Sequence, residues 1–366
     1  PLSRIFIVRT SFTGLILVLY HGRTGKSRVP EQDGMRGTQK NQEGKFAKFR
    51  LPNVPVAGTI SYICIGPVPW GEQAGEDGER TTMEKIAVIT DSCADIPPEL
   101  VREYGIFVLP LIIRAKGREY RDGVDITPED VYKILKSEVP KTSLPSGEDA
   151  LALLRWLRMS GYTHAIAVML SSGLSGTANM LRITAQQVPE LKVLVCDSLS
   201  GSIGSGITAL EVAEDVRRGK SFREIAARIP SLIANSHVFF SVDTLEYLQK
   251  GGRIGKVTAL AGTALQIKPI VSFLPDGQLG SVEKVRGRKM VQSHLCQQVA
   301  KYVKPGCRYN LLVGDGGDPG GGAQLQKKLG EMFPDYERYV YIKIDATLSC
   351  YIGPGVLGAG IQILEE

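Results

Sequence analysis

Three short apolar runs in this chain, at residues 86–90, 165–170 and 192–196, each stop at a cluster of small polar residues. Those clusters are Asp91-Ser92, Ser171-Ser172 and Asp197-Ser198. Short apolar runs without polar alternation read as strands covered on both faces, the habit of parallel sheets. Helical stretches lie between them. Pro97 and Pro98 open one, and Thr127-Pro128-Glu129-Asp130 opens another, with Thr127 as its cap. Ser146 or Gly147 opens a third, which carries Leu151, Leu154 and Leu157 and ends at Gly161. Strands alternating with helices predict an α/β fold with a doubly wound parallel sheet. In such sheets ligands bind beyond the carboxyl ends of the strands, where all three clusters fall.

The middle cluster is the richest. Ser171-Ser172-Gly173-Leu174-Ser175-Gly176-Thr177 leaves a strand and enters a segment of helical period through Leu181, Ala185 and Val188. A strand-to-helix turn exposes unpaired N–H groups at the positive end of the helix dipole, so a hydroxyl-lined turn of this kind suits an anion. The plain structural alternative is a tight turn capped by Ser175. A second hydroxyl cluster, Thr142-Ser143-Leu144-Pro145-Ser146, favours the functional reading.

The pattern changes near Asn235. Strand-like pieces on either side of Asp276-Gly277 predict a hairpin. Apolar runs at 309–313 and 340–344 flank a helical segment at 323–333. Hairpins mixed with crossovers predict an α+β unit with a mixed sheet. The expected organisation is therefore a leader over residues 1–82, an α/β domain over 83–236 and an α+β domain over 237–366. The leader begins at Pro1 and keeps no sustained period, whereas Met83 directly precedes the first strand. The expectation is that Met83 is the natural start and that 1–82 is non-native or disordered.

Charge narrows the partners. The chain carries 44 Lys+Arg against 38 Asp+Glu, but 11 and 7 of these fall in residues 1–82. The remainder is nearly balanced, which argues against a nucleic-acid footprint. The six cysteines show no metal-ligand spacing and read as reduced thiols of a cytoplasmic protein. The run at 12–20 is too short to span a membrane.

Asp91-Ser92-x-x-Asp95, the Thr142–Ser146 box and the Ser171–Thr177 loop together resemble the DegV family. Gly251-Gly252-Arg253-Ile254, Ile267-Lys268-Pro269-Ile270 and Gly353-Pro354-Gly355 extend the likeness in the family's order, from Met83 to the C-terminus. The resemblance implies a bacterial two-domain carrier that binds a long-chain fatty acid in a tunnel between its domains and needs no cofactor. The carboxylate would be held by Thr142, Ser143, Ser172, Gly173, Ser175 and Gly176. The resemblance also implies a separate fatty acid kinase as partner and a monomeric, non-catalytic chain with no stable membrane insertion. The family usually has a histidine before its Gly-Pro-Gly segment; Tyr351 stands there and is expected beside the head group. Arg286, in the basic run Lys284-Val285-Arg286-Gly287-Arg288-Lys289, is read as a helix start and as a kinase-docking residue.

The small apolar stretches 257–265 and 356–363 are candidate linings for an acyl tail. The competing reading is a serine hydrolase acting on acyl esters. Gly173-Leu174-Ser175-Gly176-Thr177 falls one glycine short of the Gly-x-Ser-x-Gly elbow, and no histidine is placed by sequence to activate Ser175. Gly314–Gly322, with Asp315 and Asp318, lacks the endings of a P-loop and the spacing of an EF-hand and reads as a turn.

Overall fold

The computed structural model describes residues 84–257 and 267–364 with their side chains. It also describes the backbone of 258–260, of Glu365 and of three strands nearer the N-terminus. The chain divides into two compact units, residues 1–70 and 71–366. In the first, β1 (Arg4–Arg9), β2 (Leu15–Tyr20) and β3 (Ile60–Cys64) form an antiparallel sheet in that order. The sequence shows no element there; the rest of the expected leader lies outside the described residues.

The second unit opens with β4 (Ile86–Asp91), α1 (Pro98–Tyr104) and β5 (Phe107–Leu109). The apolar run from Ile106 to Ile113 reads as one strand but forms two. Pro110 has no N–H for a ladder, so the chain breaks there and β6 (Ile112–Ala115) joins a different sheet. β7 (Arg118–Arg121) follows, then α2 (Pro128–Ile134), which Thr127 and Asp130 start as a capping box. β8 (Lys141–Ser143) comes next, so the Thr142 box is a short strand and not a loop. Then come α3 (Gly147–Met159), β9 (His164–Met169), α4 (Thr177–Ala185) and β10 (Lys192–Asp197).

α5 (Ile203–Arg217) and α6 (Phe222–Ala234) lead to β11 (Ser236–Ser241). The sequence pattern leaves α6 unread because Pro230 sits inside it. The chain continues through α7 (Glu246–Lys250), β12 (Ile267–Phe273), β13 (Leu279–Arg286) and α8 (Val291–Ala300). It ends with β14 (Arg308–Gly316), α9 (Pro319–Met332), β15 (Arg338–Lys343), α10 (Ala346–Ile352) and β16 (Val356–Glu365).

The expected fold class is the observed one. β10-β9-β4-β5 is a wholly parallel four-stranded sheet, and β13-β12-β11-β16-β14-β15 is a mixed six-stranded one. A small antiparallel sheet, β7-β6-β8, carries the Thr142 box. α5 packs against β4 and β9 of the parallel sheet and also against β11 and β14 of the mixed one. It is therefore buried nearly all round, like a helix in the centre of a core. Its Gly/Ser-rich start has a packing cause: a Cβ at Gly206 would lie 2.2 Å from the Ala94 carbonyl oxygen.

Two sequence readings change at this level. Arg286 closes β13, and Gly287 (φ 83°) separates it from the 3-10 turn Arg288–Met290, so no helix begins at Arg286. The glycine-rich stretch from Gly314 is the end of β14 and the start of α9, where Asp318 caps the helix through the Gly321 N–H.

Candidate functional site

Residues from the carboxyl edge of the parallel sheet and from the mixed sheet enclose a cavity of about 300 Å³. Leu170, Leu174 and Ser175 come from the end of β9 and the loop after it, and Gly201, Ser202 and Ile203 from the start of α5. Val238, Phe240, Phe273 and Leu279 come from β11 to β13. Thr347, Leu348, Tyr351 and Ile352 of α10 form another wall. Phe240, Gly358 and Gly314 stand directly opposite one another across β11, β16 and β14 and share one face. The two glycines leave a trough in that face where side chains would otherwise meet.

One end of the cavity is polar. Thr142 and Ser143 reach it from β8, which is held in register by Ile113 and Ile112 of β6. Ser175 and Arg253 also line the cavity. The Tyr351 hydroxyl is hydrogen-bonded to Thr142 Oγ1. Burial raises the Tyr351 pKa, against the opposing pull of Thr142 and Arg253, so the phenol keeps its proton near neutral pH. The Arg253 guanidinium lies over the Tyr351 ring, 5.2 Å from its centroid. Arg253 Nε donates to the Leu174 carbonyl at 3.2 Å, and Nη1 donates to the Gly251 carbonyl at 2.9 Å. A guanidinium has five N–H donors, so donors remain to meet an anion.

The sequence candidates separate into two groups. Thr142, Ser143, Ser175 and Tyr351 converge on the cavity. Ser172, Gly173 and Gly176 do not line it; they position the loop. The Ser172 N–H donates to Asp197 Oδ1 at 3.1 Å, and the Gly173 N–H donates to Ser171 Oγ at 3.1 Å. A Cβ on Gly173 would sit 2.6 Å from the Gly277 carbonyl carbon and oxygen, so only glycine lets the loop meet the hairpin turn. Gly176, not Ser175, is the N-cap of α4, and the Ser175 hydroxyl pairs with Thr177 Oγ1 at 2.8 Å. Arg286 is exposed and outside the cavity lining. Of the stretches expected to line a tail, 356–363 supplies Gly358 and Ala359, Val257 belongs to the core, and 258–265 lie outside the described side chains. Arg253 was legible only as a letter in the Gly251-Gly252-Arg253-Ile254 box. The signal that could have marked it is a cation following two glycines that free the backbone.

The acidic members of the sequence clusters build the frame. Asp91 accepts from the Leu170 N–H at 2.8 Å and from the Cys93 N–H at 3.1 Å, fixing the start of the serine loop. Asp95 accepts from the Asp345 N–H at 2.8 Å and the Ser202 hydroxyl at 2.5 Å. Asp122 accepts from the N–H groups of Ala346 and Thr347, and Asp345 caps α10 through Leu348. These carboxyl groups thereby hold the first turn of the helix that walls the cavity.

Burial pushes the Asp91 pKa up to about 7 and raises Asp95 and Asp345 as well, with neighbouring carboxyls adding to the rise at each. The folded chain thus keeps protons that the unfolded chain has released above about pH 4. Their stabilising contribution is complete below that pH and is lost as pH rises through about 7. Asp345→Asn keeps the cap and lets an amide donate to Asp95 without a proton. Its unfolding midpoint relative to wild type is expected to be higher at about pH 8 than at about pH 5.5. A relative midpoint that falls over this range would contradict the proton-held frame.

Among the described residues His164, His237 and His294 all have other partners: Thr163, the Tyr302 ring and Glu283, respectively. No helix among the described residues is long and apolar enough to cross a membrane.

A mixed α/β chain that encloses an apolar cavity with one cationic, hydroxyl-lined end has the features of a binding protein for an amphipathic anion. The DegV family model, described as an uncharacterised protein family, matches residues 85–364, and this chain belongs to that family. It is 40% identical over 285 residues to a DegV domain-containing protein of Clostridium acetobutylicum, covering 78% of this chain and 100% of the relative. Among solved structures it is similar to a DegV family protein from Thermus thermophilus described by its fatty acid binding (TM-score 0.73, 29% identity, 76% of this chain, 100% of that one). It is also similar to DegV, a fatty acid binding protein from Bacillus subtilis (TM-score 0.71, 28% identity, 76% and 99%). A stearic acid-binding protein from Eubacterium ventriosum is a third (TM-score 0.70, 26% identity, 77% and 98%).

Proposed function

We propose that this chain binds a long-chain fatty acid in the cavity, tail against the trough of the mixed sheet and carboxylate at the polar end. Thr142, Ser143, Ser175 and Arg253 are the head-group residues of this reading, with Tyr351 fixing Thr142. The observation that carries it is the pairing, among the described residues, of a mostly apolar cavity with a cluster of Arg253 and hydroxyl-bearing residues. Fatty acid binding by similar proteins supports it. Burying about fourteen methylenes gives an upper bound on the order of 11 kcal/mol before the costs of binding, so the tail sets affinity. Hydrogen bonds to the carboxylate mostly replace lost hydration and set orientation.

The test is the lipid that accompanies the protein. Native mass spectrometry is expected to find a long-chain fatty acid in a near one-to-one ratio. Esterase assays with p-nitrophenyl or acyl-thioester substrates are expected to show no turnover above a Ser175→Ala control. Serine-dependent hydrolysis without bound lipid would reverse the reading in favour of a hydrolase.

The finer reading is a carrier that presents its ligand to a separate fatty acid kinase, with no chemistry of its own. Arg286 is exposed at the end of β13, whereas nearby Arg288 is engaged by Asp243 and by Asp318. In this reading Arg286 belongs to the kinase-docking surface. Arg286→Ala is expected to lower acyl-phosphate formation in a reconstituted assay while fatty acid affinity stays constant. Unchanged acyl-phosphate formation would remove Arg286 from that surface.

A further inference from the structure

A second recess lies at the far end of α5. Ile203, the first residue of that helix, lines the apolar cavity, whereas Arg218, just past its last residue, lines a polar space of about 320 Å³. About 20 Å of helix separates the two. Arg218, Lys220, Arg228, Arg308 and Arg338 converge on this space from the end of α5, from α6 and from the starts of β14 and β15. Leu364 is the one aliphatic side chain in its lining among the described residues.

Carboxylates neutralise these cations unevenly. Arg218 pairs with Glu214 at 3.0 Å and Arg308 with Glu337 at 2.8 Å. Lys220, Arg228 and Arg338 share two carboxylates among the described residues. Buried Asp215 lies 2.8 Å from Lys220 and 2.7 Å from Arg228, and Glu211 lies 3.5 Å from Arg228 but 4.0 Å from Arg338. Arg338 is the weakly neutralised member. Its Nη2 donates to the Tyr104 hydroxyl at 2.9 Å, and Nη1 has no partner among the described residues. The Arg338 side chain is only 24% exposed, so its charge is partly withdrawn from water and favours an incoming anion. Guanidinium forks match phosphate oxygens. The space sits at the low end of small-molecule sites, roughly 300–1,000 Å³, and exceeds what a bare phosphate needs. Carboxylates at Glu214 and Glu337 keep lone pairs that can accept from ligand hydroxyls. We infer that this recess binds a small phosphate ester with a hydroxylated body, its phosphate on Arg338 and Arg228. The site is separate from the fatty-acid cavity and does not depend on that reading.

The experiment titrates the full chain with ribose 5-phosphate, inorganic phosphate and ribose by isothermal calorimetry, at an ionic strength held constant with sodium chloride. Wild type is expected to bind one ribose 5-phosphate per chain, more tightly than inorganic phosphate, and to show no binding of ribose. Arg338→Gln, which keeps a donor for Tyr104, is expected to weaken ribose 5-phosphate binding at least about tenfold. Arg228→Lys keeps a charge facing Asp215 but loses the fork, and is expected to weaken it about five- to tenfold. This second variant carries the test if circular dichroism finds Arg338→Gln unfolded. Inorganic phosphate binding as tightly as ribose 5-phosphate would overturn the ester assignment. No saturable binding of either phosphate, or binding unchanged in the folded variants, would overturn the site itself.

Discussion

Replacing Arg253 with methionine is expected to weaken palmitate binding by about ten- to 150-fold, the equivalent of roughly 1.5–3 kcal/mol for a hydrogen bond to a charged group. Methionine retains an unbranched stem over the Tyr351 ring, so the loss reports the guanidinium and not the packing. The side chain matters twice. It brings positive charge to the polar end of the cavity, and its bonds to the carbonyls of Leu174 and Gly251 tie the serine loop to the turn after α7. Methyl palmitate, which has no anionic head, should bind wild type and variant with similar affinity. Isothermal titration with both ligands makes the comparison. Equal affinity of wild type and variant for palmitate would move the carboxylate away from this end of the cavity.

Gly358→Leu is expected to abolish long-chain binding, with affinity falling by at least about 100-fold while the chain remains folded. Gly358 is central in the mixed sheet, opposite Phe240 on one side and Gly314 on the other. A Cβ at Gly358 would make only ordinary contacts, with the nearest atom the Phe239 carbonyl oxygen at 3.5 Å. The backbone therefore accepts a side chain, and further atoms extend into the trough that the tail would fill. Gly314 is a poorer place for this test, because its Cβ would meet Ile342 Cδ1 at 2.8 Å and disturb the sheet. Long-chain binding would cost on the order of 0.8 kcal/mol for each methylene displaced, so a short acid should suffer less than palmitate. Fluorescent fatty acid displacement across a chain-length series, with circular dichroism to monitor folding, gives the readout. A variant that folds and still binds palmitate normally would place the tail elsewhere.

Much of this molecule is written locally. The apolar runs before Asp91, Ser171 and Asp197 became β4, β9 and β10; β4 and β9 are buried on both faces, as an uninterrupted apolar strand requires, whereas β10 is the half-buried edge of the sheet. Thr127 and Ser146 start the helices assigned to them, since capping needs only a side-chain oxygen and nearby N–H groups. The hairpin around Asp276-Gly277 formed for a similarly local reason, with Gly277 at φ 72°. The misread elements turned on features that pattern cannot weigh. Pro110 split one apolar run between two sheets, and tertiary packing carries α6 past Pro230.

By itself, the sequence determined the alternating α/β architecture, the hydroxyl clusters at the strand ends and the order of the family motifs. These depend on neighbours in the chain or on periodicities of a few residues. Tertiary structure decided which hydroxyl-bearing residues line the cavity, that Arg253 lines it beside Tyr351, and that Ser172, Gly173 and Gly176 support the loop. Each of these outcomes requires distant segments to meet, as when Thr142 is hydrogen-bonded to Tyr351. The identity of a residue limits what it can donate or accept; only the packing of β8, β9, β16 and α10 around one space fixes what is left for it to bind.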